Sequence, residues 1–169
     1  MYLLAAVIIC ASSTHAQVSE KNIPASATIV TDINLGKLTS LMPVKDWNKS
    51  TVGKEMLKSI NDKSGKKIKS LADAGIALNG HAYVYYTAND SMRYMSLLLP
   101  VADAKKTKNV FSKRNPTAGA QNSWMVVHED STNIIIGNDK QILIVTGIIN
   151  EDYFRREDVA LNHGIDLTD

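Results

Sequence analysis

The chain has 169 residues, 21% of them charged and 44% hydrophobic, with a formal net charge of +2 and one cysteine. This composition excludes a disordered tail, a collagen-like fibre, a disulfide-stapled miniprotein and a multi-span membrane protein, and leaves a globular domain large enough to bury a core. A net charge of +2 gives no electrostatic ground for a nucleic-acid partner.

The first sixteen residues read as a secretory leader. Leu3–Ala11 is an unbroken apolar run of nine, and small and polar residues follow it down to Ala16. Nine residues rise about 14 Å as a helix against roughly 30 Å of hydrocarbon, so the run is too short to span. Cleavage is expected after Ala16. Cys10 follows Ile9, a bulky residue where a lipoprotein leader needs a small one, so lipid anchoring through Cys10 is disfavoured. Removal of the leader takes the one cysteine with it and excludes disulfides, thiol nucleophiles and thiolate metal sites.

The mature part begins with Ile23-Pro24 and an alternating segment, Ala27–Ile33. This predicts a strand with Ala27, Ile29 and Ile33 on one face. Asn34 is placed to cap a short helix over Leu35, Leu38 and Leu41 that Pro43 closes. A second helix is expected from Ser50 or Thr51, with Val52, Met56, Leu57 and Ile60 at helical spacing. Ser64-Gly65 interrupts it, and Ile68, Leu71 and Ala72 resume helical turns up to Gly75, where a left-handed cap belongs. Ala82–Thr87 and Met92–Leu99 then form a hairpin about Ala88–Ser91. A lysine-rich helix over Asp103–Ser112 and a loop over Asn115–Asn122 follow. Strands are expected over Ser123–His128, Asn133–Gly137 and Lys140–Gly147, joined through Glu129–Thr132 and the tight-turn pair Asn138-Asp139. The last two are nearly continuous apolar runs, as in strands buried on both faces. Glu151–Ala160 closes the order as a helix. The sequence is β, α, α, β, β, α, β, β, β, α, which is the α+β class: an antiparallel sheet with helices packed on one face.

A short motif recurs. Gly75, Ile76 and Leu78 align with Gly164, Ile165 and Leu167 at an offset of 89 residues, each time after an amphipathic helix. In both places glycine ends the helix and two apolar residues two apart lead into a strand. This predicts a repeated β-α-β-β-type unit, with a leader over 1–16, an α+β domain over 17–150 and the start of a second unit over 151–169. The second copy lacks its strand, so the chain is expected to be the N-terminal part of a longer protein.

Chemistry-bearing residues are sparse. His128-Glu129-Asp130 lacks a second imidazole one helical turn on, where Thr132 stands, and two ligands do not close a metal site. There is no Gly-x-Ser-x-Gly, and Ser64-Gly65-Lys66-Lys67 lacks the spaced glycines of a phosphate loop. No cofactor, metal or catalytic set is therefore expected. Residues 45–72 hold eight lysines against three acids, and Lys105, Lys106, Lys108, Lys113 and Arg114 form a second basic group. Solvated helix faces account for both, and an anionic partner is the alternative. No aromatic interleaving points to single-stranded nucleic acid. Tyr83, Tyr85 and Tyr94 can form a platform for a glycan or small ligand, and cross-strand aromatic pairing explains them equally well.

The segments Ile23–Ala27 before an alternating strand, and Ala74–Leu78 before Tyr83–Tyr86, resemble a secreted family of Bacteroidetes envelope proteins. It is a domain-of-unknown-function family, many of whose members are lipoproteins. The resemblance covers about residues 23–169 as pattern and carries no catalytic residue. It implies an exported protein, periplasmic or associated with the outer membrane, and usually longer than this chain. Asp90-Ser91-Met92 and Asp130-Ser131-Thr132 look like the O-glycosylation acceptors of that group, which marks Ser91 and Ser131. The leading expectation is a non-catalytic interaction or scaffolding domain whose partners are envelope proteins or glycans. The alternatives are a glycan or small-ligand binder using the tyrosine hairpin, and an enzyme whose catalytic residues lie beyond Asp169.

Overall fold

The computed structural model describes residues 20–119, 123–127 and 133–163. The expected leader with Cys10, the turn holding Ser131, and the second glycine motif at Gly164, Ile165 and Leu167 lie outside the described residues. The chain is α+β. Its strands are β1 (Ile29–Asn34), β2 (His81–Ala88), β3 (Met92–Pro100), β4 (Thr117–Ala118), β5 (Trp124–Val127), β6 (Asn133–Gly137) and β7 (Gln141–Ile149). They form one seven-stranded sheet in the order β1-β2-β3-β7-β6-β5-β4, and each pairing is antiparallel. The expected hairpins are all present. The apolar run of β7 lies centrally between β3 and β6, as its sequence requires.

The helices α1 (Leu35–Leu41), α2 (Val44–Trp47), α3 (Thr51–Ser64) and α4 (Ala104–Val110) start and stop on local signals. The Asn34 side chain accepts from the Lys37 N–H at 2.7 Å and caps α1. Ser50 caps α3 through the Gly53 N–H, Gly65 ends α3 at φ 66°, and Asp103 caps α4 through the Lys106 N–H. One expectation fails between them. Residues 66–75 form turns instead of a helix, because the Asn61 side chain clips the backbone of Ile68, accepting from its N–H at 2.7 Å and donating to its C=O at 3.3 Å. These are the groups a helical ladder would use. Gly75 still stops the segment with φ 78°. Its N–H bonds the Ala72 carbonyl and the Ile76 N–H bonds the Leu71 carbonyl, both at 3.1 Å, the paired bonds of a helix C-terminus.

The core lies between the helices and one face of the sheet. Leu35, Trp47, Leu57, Ile60, Val110 and Phe111 meet Ala82, Leu99, Ile142, Ile144, Ile135 and Val126 there. A cross-strand row, Thr31–Val84–Leu97–Ile144–Ile135–Val126, fixes which side chains share this face. The opposite face has a smaller cluster, Tyr83, Tyr85 and Leu98, covered by Ile23 and Ala27 from the N-terminal segment. Ala27 therefore does not share a face with Ile33. It sits in a turn, its N–H on the Pro24 carbonyl, and the strand begins only at Ile29. Leu41 also departs from expectation: at the last turn of α1 it is 86% exposed.

The expected helix over Glu151–Ala160 is broken into α5 (Glu151–Phe154) and α6 (Glu157–His163). Arg156 stands at the break, bonds Asp158 at 2.9 Å and holds that carboxyl below its ordinary value. Asn150 ties this segment to the β2–β3 turn, its N–H on the Ser91 carbonyl and its side chain on the Asp90 carbonyl. No helix among the described residues is long and apolar enough to cross a membrane.

Candidate functional site

The three tyrosines singled out in the sequence do share a face, since Tyr83 opposes Leu98, Tyr85 opposes Ser96 and Thr87 opposes Tyr94. They do not form an open platform. Tyr83 is 5% and Tyr85 4% exposed beneath Ile23 and Ala27, while Tyr94 is half-buried. Burial, then the negative charges of Asp32 and Glu20, push the Tyr83 phenol above its ordinary value of 10.0. The folded state thus holds this proton more tightly than the unfolded chain. Its contribution to stability is complete below pH 10.0 and is lost as pH climbs through the raised value. Tyr83→Phe is expected to make the alkaline fall in melting temperature shallower than in the parent chain, a comparison that cancels lysine titration.

Close to Tyr83 lies a polar cluster that the sequence did not announce. The His81 Nδ1 meets the Asp32 carboxylate at 2.7 and 3.0 Å, and its Nε2 lies 3.2 Å from the Asn34 amide nitrogen. The Asn34 oxygen already accepts from the Lys37 N–H, so its nitrogen donates to Nε2 and Nδ1 carries the proton toward Asp32. An Asp–His pair orients an imidazole for base chemistry. Here the free nitrogen is consumed by the helix cap, and no hydroxyl or thiol bonds the ring among the described residues. The signal that could have exposed this cluster is strand register, which pairs Asn34 with His81. Among the described residues, no three His, Cys, Asp or Glu side chains come together to hold a metal.

The lysines of α3 and α4 are spread over exposed positions, including Lys54, Lys58, Lys105, Lys106 and Lys108. Lys66, just past the end of α3, reaches across to the carbonyl and side-chain oxygen of Asn109. Ser91 sits in the β2–β3 turn, its N–H and hydroxyl both on the Asn89 side chain. In the first glycine motif, Ile76 is buried and bridges Val101, and Leu78 packs half-buried on the core.

A concave feature lies elsewhere. Leu57 and Ile60 turn α3 into the core and leave Met56 and Ser59 on its flank. The sheet extends past that flank, and the gap forms an apolar groove of about 280 Å³ lined by Ile33, Met56, Val84, Met95, Leu97 and Ile144. Ser59 and Thr146 add the two hydroxyls of its wall. At its mouth runs the next cross-strand row, Ile29–Tyr86–Met95–Thr146. Ile29 is 60%, Met95 49% and Ile148 53% exposed. Isolated apolar residues on a surface are ordinary, whereas a contiguous set around a concavity marks a contact site. The groove was not legible in advance because it depends on how far α3 reaches along the sheet. Comparison of the chain with protein-family models, curated proteins and solved structures finds no match.

Proposed function

We propose that the chain is an exported domain of the cell envelope that binds and does not catalyse, seating an apolar group of its partner in the groove beside α3. The observation that carries this reading is the uncovered apolar end of the sheet around Met95, continuous with a concavity whose wall is almost wholly hydrocarbon. The leader pattern over residues 3–16 and the resemblance to secreted Bacteroidetes envelope proteins support export. The recurrence of Gly75-Ile76-x-Leu78 at Gly164 supports a tandem arrangement in which a second unit follows the first.

A photo-crosslinking residue at position 95 of the full chain, expressed in an envelope-bearing bacterial host, tests both halves. The chain should be recovered outside the cytoplasm with Gln17 as its first residue, and position 95 should crosslink where an exposed control at Lys105 does not. Retention in the cytoplasm with an intact leader would overturn export. Crosslinking no stronger at 95 than at 105 would overturn the binding role.

A further inference from the structure

We propose that the groove takes a single-chain anionic amphiphile, its hydrocarbon between α3 and the sheet and its acidic head on Arg93. The inference rests on the reading of the groove as a binding surface and adds the chemistry of what it binds. The size comes first. A cavity of 150 Å³ holds benzene, so about 280 Å³ admits roughly ten to twelve non-hydrogen atoms on the same scale. That matches one alkyl chain. Met56 on the helix and Met95 on the sheet stand on opposite walls, and unbranched thioethers adapt to a flexible chain.

The head group follows from charge. Arg93 lies two residues before Met95 on the same strand and so on the same face, about 7 Å further toward the open end. Its cross-strand neighbours are Ala88 and Ile148, neither of them acidic. Among the described residues the Arg93 guanidinium makes no ion pair and no hydrogen bond, and it is exposed. On the facing helix the carboxylates Glu55 and Asp62 are exposed and take no part in the lining. A guanidinium with no acceptor, at the mouth of a hydrocarbon slot, is complementary to a carboxylate or phosphate that ends a hydrocarbon chain.

Calorimetric titration of the full chain with decanoate and with decanol, below micellar concentrations, is the test. Decanoate is expected to bind one to one. Arg93→Gln should weaken it by about tenfold while leaving decanol unchanged, the loss expected for one charge-assisted hydrogen-bonded contact. Met95→Trp plugs the mouth from a half-exposed position and should abolish both titrations with an unaltered melting temperature. If decanol binds as tightly as decanoate and Arg93→Gln changes neither, the anionic assignment falls while an apolar binding groove stands. Binding that survives Met95→Trp, or no binding of decanoate at all, overturns the inference outright.

Discussion

Replacing Gly75 by alanine is expected to destabilise the chain by about 4 kcal/mol, through backbone strain and a clash together. The φ of 78° is left-handed, a conformation that costs an L-residue about 1–2 kcal/mol. A Cβ there would lie 2.4 Å from the Asp103 carbonyl oxygen and 2.7 Å from the Thr107 hydroxyl. Neither neighbour can yield cheaply. The Asp103 carbonyl accepts the Thr107 N–H at 3.0 Å at the start of α4, and the Thr107 hydroxyl donates to the buried Ala74 carbonyl at 2.9 Å. Gly75 also accepts through its own carbonyl from the Ala102 and Asp103 N–H groups. The whole start of α4 is thus built on this turn. Gly36→Ala is the matched control. It lies in α1, where the nearest atom to a new Cβ is the Asn34 side-chain oxygen at 3.4 Å. It should change stability by less than about 1 kcal/mol, in the stabilising direction that helix propensity sets. Urea unfolding of the two variants decides the matter, and equal midpoints would remove the structural role assigned to Gly75.

Much of this architecture was legible because it is written locally. Asn34, Ser50 and Asp103 cap helices from one residue outside them, and Gly65 and Gly75 end their segments with positive φ. Alternation and turn residues located every long strand. The failures share a different cause. In sequence Pro43 signals only a stop, yet its carbonyl accepts from the Asp46 and Trp47 N–H groups and so starts α2, which carries Trp47 into the core. Sequence leaves the tyrosine face either open or packed, because nothing in local pattern says that Ile23 and Ala27 fold back across it. The Asn61 clip on Ile68 spans seven residues, beyond the reach of a helical template. The His81 cluster and the groove depend on register and on the reach of one helix over the sheet, which only tertiary packing determines.

Truncation of Phe111 to alanine should be at least as damaging as the Gly75 change, within the range of about 3–5 kcal/mol usual for a buried aromatic. Phe111 is 2% exposed at the C-terminal end of α4. Its ring lies 5.6 Å from that of Trp124 at a tilt of 35°, a favourable offset arrangement. Trp124 in turn lies directly on Gly137, where a Cβ would fall 2.2 Å from the indole ring. Helix, β5 and β6 are therefore joined by one aromatic stack that closes on bare backbone. Loss of the phenyl ring leaves a void that the indole cannot fill without leaving Gly137, so collapse is opposed and the cost stays in the upper part of the range. Near-ultraviolet circular dichroism should report the loosened Trp124, and urea unfolding the loss of stability. Leu41→Ala, at a side chain 86% exposed, should stay within about 0.5 kcal/mol. A Phe111 variant as mild as that one would mean that the far strands hold their place without the aromatic contact.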